Sequence, residues 1–340
     1  MPGLRRCNLA LIGFGNVGRR FVRLLQEKEA ELRGAHGIEW RMAGVASRRL
    51  GWIADPEGLD ADALLAGRFP AANAANVREW LAAARADVLL EASSLNWRTG
   101  QPAIDHLRAA LEHGAHAISA NKGPIVHAYA ELRALAHERS RAFLFESTVM
   151  DGTPIFSLFR HGLPAAELRG FRGLLNSTSN VVLTEMERGL DLAAAVRRAQ
   201  EIGVAETDPS DDLDGWDAAV KVAALAILLM GVPLRLEEIE RVGVGTLSPP
   251  AVREARAAGK PYKLICRAER RDGRVVASVR PEQIPLSDPL AQLSGTTSCL
   301  HFDLDVFGLT IIEHKAEVVA TAYGLLADLI RAVGTTDEHR

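Results

Sequence analysis

Ala10-Leu11-Ile12-Gly13-Phe14-Gly15-Asn16-Val17-Gly18 decides how the first part of this chain folds. Residues 7–12 form a short apolar run that reads as a buried strand, and residues 16–32 carry an amphipathic helical pattern. Between them stands G-x-G-x-x-G. In that setting Gly13 makes the tight turn, Gly15 lets main chain approach a pyrophosphate, and Gly18 brings helix against sheet. Phe14, Asn16 and Val17 complete a turn whose phosphate ligand rests on the helix N-terminus. The stretch predicts a dinucleotide site.

Outward from it, residues 38–46, 88–91, 117–119 and 143–146 read as further strands, and 101–113 and 125–138 as helices between them. The alanine-rich stretch 71–84 is a helix former. Strand–helix alternation predicts an α/β domain over residues 1–150, a Rossmann-type, doubly wound parallel sheet with right-handed crossovers. The second strand ends Ser47-Arg48-Arg49 and offers no Asp or Glu for a ribose 2′-hydroxyl. Two guanidinium forks beside a serine suit a 2′-phosphate instead, which favours NADP over NAD. Ser93 and Ser94 end the next strand, and Ala120-Asn121-Lys122-Gly123-Pro124 follows another, so these groups lie at the carboxyl edge where open α/β sheets bind ligands.

After Pro154 the pattern changes. Helices over 180–188, 192–202 and 213–230 come first, then strands over 263–269, 275–279 and 304–312, which predicts a second, α+β domain over 151–312. The last helix, 316–333, is apolar on a broad face and needs a partner; residues 313–340 are expected to return to the first domain.

In the chain's 340 residues, forty basic and forty-three acidic side chains leave a formal charge of −3, with no basic tract to neutralise a run of phosphates, so nucleic acid is not an expected partner. The longest apolar run, 222–232, falls short of the roughly 20 residues that span a bilayer, and neither a membrane span nor an export signal is expected. Cys7, Cys266 and Cys299 are widely spaced and fit reduced packing thiols in a cytoplasm.

The second chemical signal is Glu206-Thr207-Asp208-Pro209-Ser210-Asp211-Asp212-Leu213-Asp214-Gly215-Trp216-Asp217, followed by Lys221. Asp217 and Lys221, four apart on a helix, share a face. Acids at a helix start answer its positive end, which accounts for Asp211 and Asp212. It does not account for Lys221 leading into the apolar stretch 222–229. A lysine in a partly apolar wall beside carboxylates can exchange a proton with an alcohol as hydride leaves or arrives. Asp217 would orient that lysine or grip the hydroxyl, and Glu206 would hold an ammonium, so the substrate is a small amino-bearing alcohol or its carbonyl partner.

Taken together, Gly13 to Gly18, Ala120-Asn121-Lys122, Glu146-Ser147-Thr148-Val149-Met150-Asp151-Gly152-Thr153-Pro154, Leu175-Asn176-Ser177-Thr178-Ser179-Asn180, and Glu206 through Asp217 to Lys221 resemble the homoserine dehydrogenase family. The resemblance implies NAD(P)-dependent interconversion of L-homoserine and L-aspartate 4-semialdehyde, in threonine and methionine biosynthesis. It implies Lys221 as proton donor and acceptor, Lys122 as a second amine near the nicotinamide, and Asp217, Glu206, Thr178 and Ser177 as substrate ligands. It also implies a monovalent cation (Na or K) at the positions of Glu146, Val149, Asp151 and Thr153, held largely by backbone oxygens, and a homodimer formed through the second domain. A short form is expected, with no C-terminal regulatory domain. Two departures stand out: Ser177 replaces a usual glycine, and Glu313-His314-Lys315-Ala316-Glu317 replaces a glycine-rich turn. They leave room for a related dehydrogenase of another small amino or hydroxy acid, and a non-catalytic NADP-binding sensor is the reading from a different class.

Overall fold

The computed structural model of the protein describes residues 4–314 and 317–334; Lys315 and Ala316, in the segment that departs from the family turn, lie outside the described residues. The chain forms two compact units, residues 1–157 with 317–340, and residues 158–316.

The first unit is built on β1 (Arg5–Ile12), β2 (Ile38–Ser47), β3 (Gly51–Ala54), β4 (Val88–Glu91), β5 (His116–Ser119) and β6 (Phe143–Leu144). They lie in the order β3-β2-β1-β4-β5-β6, and every neighbouring pair is parallel except β2 with β3. The parallel strands are apolar on both faces because helices cover both; Cys7, Leu9, Ala10 and Leu11 of β1 are fully buried. β3 was not foreseen: four residues, Gly51-Trp52-Ile53-Ala54, are too few to show a period. It returns antiparallel to β2 after a three-residue turn, so Arg48 and Arg49 sit in a hairpin.

Helices adjust the expected boundaries at identifiable residues. The pattern over 16–32 divides into helices Asn16–Glu27 and Glu29–His36, because Lys28 leaves helical geometry (φ −102°, ψ 8°). In the alanine-rich stretch only Val77–Ala84 is helical; Asn76 caps it by accepting from the N–H groups of Arg78 and Glu79. The last helix, Val318–Val333, finds its partner in helix Asn16–Glu27, burying Ala322, Leu325, Leu326, Leu329 and Val333 in one cluster with Phe21, Val22 and Leu25. Each large aliphatic side chain so buried is worth about 1.5–3 kcal/mol.

The second unit carries β7 (Leu168–Leu174), β8 (Glu240–Arg241), β9 (Tyr262–Arg271), β10 (Arg274–Gln283), β11 (Ser298–Leu304) and β12 (Gly308–Glu313) in the order β12-β11-β7-β9-β10-β8. The pairs are antiparallel apart from β10 with β8, so the sheet is mixed. The single strand expected over 304–312 is instead the turn and second arm of a hairpin: Leu304 N–H donates to Phe307 O, and Val306 and Phe307 at the tip are exposed, an apolar run that periodicity alone mistakes for strand. β7 escaped notice because Gly170 and Gly173 interrupt its apolar run. Gly173 is required there, since a Cβ would stand 2.0 Å from Cys299 O of the neighbouring β11.

Among the described residues no helix is long and apolar enough to cross a membrane. All three cysteines are free and buried, and burial pushes the Cys7 and Cys266 thiols up to about 12 and the Cys299 thiol up to about 11, so they act as packing groups.

Candidate active site

In the first unit the three glycines of the turn meet three different surroundings. Gly13 has φ +95° and lies so close to the end of β4 that a Cβ would come within 2.2 Å of Ala92 O. Gly18 is buried, and a Cβ there would stand 2.3 Å from Gly13 O, which welds helix to turn. Gly15 faces the other way: it is exposed, and a Cβ would meet nothing within 4 Å. Gly15 is also the N-cap of helix Asn16–Glu27, and no side chain caps that helix. Uncapped N–H groups beside open space, on a backbone free of side chains, fit a pyrophosphate. Phe14 turns inward instead, packing edge-on against Phe69 at 5.6 Å, so it supports the turn from the core side. Asn16 is exposed and Val17 partly packed on the core.

Along the carboxyl edge a polar web sets the loops. The Glu91 carboxylate, fully buried at the end of β4, accepts from the Ser93 hydroxyl and N–H. Asn121, after β5, donates to Ser93 O and Ser94 O at 3.4 Å each, and its own carbonyl accepts from Gly123 N–H at 3.0 Å. Lys122, half-buried, is thereby held as the N-cap residue of helix Gly123–Glu138. Ser47 Oγ accepts from Leu50 N–H at 3.1 Å, stiffening the hairpin that exposes Arg48 and Arg49.

The second unit gathers the acid–amine cluster from three segments. Gly215, with φ +81°, separates the short helix Ser210–Leu213 from helix Trp216–Leu229, so the helix expected over 213–230 begins at Trp216. Asp217 and Lys221 lie one turn apart on the second helix: Lys221 Nζ is 2.9 Å from Asp217 Oδ2 and donates to Leu175 O at 2.6 Å, with a fifth of each side chain exposed. Asn176, the residue after Leu175, donates to Asp212 Oδ1 at 2.6 Å and to Asp217 Oδ2 at 3.2 Å. Its carbonyl oxygen caps helix Ser177–Glu187 through Ser179 N–H. The amide group is thus used at both ends, which fixes its orientation.

Burial, and then the neighbouring Asp217 carboxylate, raise the pKa of Asp212, opposed by hydrogen bonds from Asn176 and Thr178 and by the Lys221 charge. Thr178 is buried, with its hydroxyl also 3.3 Å from Val204 O; Ser177 is half-buried at the helix start. Glu206 sits in an exposed loop whose main chain is held by the Gln200 amide, outside this hydrogen-bonded group. Asn176 and Asp212 are the partners that sequence reasoning passed over. The helix-dipole account of Asp212 was sufficient by itself, and Asn176 was visible only as part of a resemblance.

In the segment 146–153 the Glu146 carboxylate, buried, accepts from Phe156 N–H at 2.7 Å, Ser157 N–H at 3.0 Å and Arg331 at 2.9 Å. Asp151 Oδ1 accepts from the Thr321 hydroxyl at 2.8 Å, and Met150 and Asp151 both take positive φ. Val149 is buried, and Thr153 N–H donates to Met150 O. Among the described residues no group of three or more His, Cys, Asp or Glu side chains is arranged to hold a metal ion.

Comparison with known proteins gives the family of both units. The family model for the homoserine dehydrogenase NAD-binding domain matches residues 13–146, and that for homoserine dehydrogenase matches residues 154–330. The chain is 37% identical over 337 residues to an NAD(+)-dependent homoserine dehydrogenase of Pseudomonas canavaninivorans, covering 95% of each. It is 30% identical over 340 residues to a homoserine dehydrogenase of Methanocaldococcus jannaschii, covering 97% of this chain and 99% of that one. Its fold is similar to the crystal structure of a homoserine dehydrogenase from Thiobacillus denitrificans, with a TM-score of 0.85 at 27% identity over 98% of this chain and 74% of that one. With a dinucleotide turn in one unit and a lysine–carboxylate cluster in the other, the chain belongs to the homoserine dehydrogenase family of NAD(P)-dependent oxidoreductases that act on a CH–OH group.

Proposed function

We propose that Lys221 moves the proton when this protein interconverts L-homoserine and L-aspartate 4-semialdehyde. The observation that carries the reading is the Lys221 amine, only a fifth exposed and fixed between Asp217 Oδ2 at 2.9 Å and Leu175 O at 2.6 Å. Bound NAD(P) supplies or accepts the hydride at its nicotinamide. In the oxidising direction neutral Lys221 takes the hydroxyl proton as the C4–H bond gives up hydride; in the reducing direction the ammonium returns that proton to the forming alkoxide. Asp217 holds the amine in place and grips the substrate, with Ser177 and Thr178 completing the pocket. Glu206 receives the substrate ammonium, and Lys122 is the second amine, beside the nicotinamide and the reacting oxygen. Lys221→Ala is expected to lower kcat by roughly 10²-fold or more with cofactor binding retained. Turnover within a few fold of the parent would remove Lys221 from the mechanism.

For the cofactor, Gly13 to Gly18 take the pyrophosphate, Ser93, Ser94 and Lys122 border the nicotinamide end, and Ser47, Arg48 and Arg49 select NADP through its 2′-phosphate. The Pseudomonas canavaninivorans relative is named for NAD(+), which makes this preference the reading most open to test. Replacing Arg48 and Arg49 by Ala should raise KM for NADP about tenfold and leave KM for NAD unchanged; equal changes would assign the site to NAD. A monovalent cation would be bound by main-chain oxygens of Glu146, Val149, Asp151 and Thr153, since the Glu146 carboxylate is already engaged by Arg331. A cytoplasmic homodimer, paired through the sheet of the second unit, completes the reading, and sedimentation at the mass of one chain would refute the dimer.

A further inference from the structure

Apart from the Asp217–Lys221 cluster, the second unit holds a cavity of about 260 Å³. It is bordered by the end of helix Ser177–Glu187, helix Pro249–Ala257, the start of β9 and the turn Pro289–Gln292. One wall is a buried amine. Lys263, 2% exposed, donates to Leu293 O at 2.6 Å and to Asn180 Oδ1 at 3.2 Å. An ammonium carries three donors, so two partners leave it one more bond to make. A carboxylate shares the lining. Glu187 Oε1 is buried and receives no hydrogen bond, while Glu187 Oε2 lies 3.7 Å from Arg256 Nε, beyond hydrogen-bond length. Burial raises the Glu187 pKa and lowers that of Lys263, each opposed by the other's charge. A buried carboxylate oxygen without a donor costs about 1–3 kcal/mol, and the reaction described above uses none of these groups.

We propose that this cavity binds a small zwitterionic α-amino acid, its ammonium on Glu187 and its carboxylate on Lys263 and Arg256. The Glu187 carboxylate, short of donors, asks for a charged N–H group, which a simple anion does not have. The amine and guanidinium ask for an acid, which a simple amine does not have. Ala291 and Leu293 share the remaining lining with Thr184, Arg188, Gln292 and Ser294, which suits a short side chain. The volume lies just under the roughly 300 Å³ at which sites for drug-sized molecules begin, so the ligand is of metabolite size.

Titration calorimetry of the full chain with L-2-aminobutyrate, propionate and propylamine tests this, repeated on Glu187→Gln and Arg256→Met. L-2-aminobutyrate is expected to bind, and to bind at least tenfold more weakly to each variant, the size expected from losing one charge-assisted contact. Propionate and propylamine should bind at least tenfold more weakly than the amino acid to the parent protein. KM for homoserine without added ligand should be unchanged in both variants, which separates this cavity from the Lys221 site. Because Arg256 is half exposed, Arg256→Met keeps the test alive if Glu187→Gln fails to fold. No binding up to about 20 mM, where a millimolar site would be nearly full, overturns the proposal. So does undiminished binding to Arg256→Met, or propionate binding as tightly as L-2-aminobutyrate.

Discussion

The glycine turn of the first unit and the acid–amine cluster of the second, the two proposed ligand sites, are built by opposite means. The turn works by leaving side chains out: a Cβ on Gly13 or Gly18 would meet backbone oxygen at 2.2 or 2.3 Å, and of the three only Gly15 opens outward. The cluster works by bringing side chains in, from Asn176 after β7, Asp212 on a short helix, and Asp217 with Lys221 on the next. A backbone site is local in sequence, within six residues here. A side-chain site depends on segments some forty residues apart reaching one place, and so rests on the whole unit's packing.

That contrast can be broken. Gly13→Ala should cost about 2–4 kcal/mol of unfolding free energy and abolish cofactor binding, because the new Cβ meets Ala92 O at a backbone angle that L-residues avoid. A parent-like melting temperature would mean that the turn is looser than it looks. Asn176→Ala should cost about 2 kcal/mol, from a lost helix cap and two orphaned carboxylate contacts, and lower kcat tens of fold while leaving KM for cofactor alone. If cofactor KM moved instead, the two regions would not be separable. Gly15→Ala is the sharpening case: stability within about 0.5 kcal/mol of the parent, yet a roughly tenfold rise in cofactor KM, since the methyl enters open space that a phosphate needs.

The smallest effect concerns His116, at the start of the strand that ends before Lys122. Burial, with Arg141 nearby, lowers its pKa from 6.5 to about 4, and Nδ1 accepts from Ala142 N–H. The unfolded chain therefore takes up a proton at higher pH than the fold does. The neutral ring's contribution is present above pH 6.5 and is lost as pH falls towards 4. His116→Gln should flatten the decline in stability over that window by about 1 kcal/mol, allowing for partial solvent screening. Parallel curves for variant and parent would assign acid sensitivity elsewhere.

Residue types and spacing were enough for the parallel sheet, the glycine turn, the cofactor class and the suspicion attached to Lys221. Those features are written in local order: an apolar run, three glycines at fixed offsets, a lysine at the mouth of a buried helix. Tertiary structure alone decided the antiparallel β3 that puts Arg48 and Arg49 in a hairpin, the β11–β12 turn hidden in an apolar run, and the commitment of Glu146 to Arg331. It also recruited Asn176 and Asp212, and it left Glu206 exposed, outside the cluster. The physical reason is the range of the forces. Backbone conformation and amphipathic period act over a few residues, whereas a buried carboxylate's partner is whichever donor the packed chain brings within 3 Å.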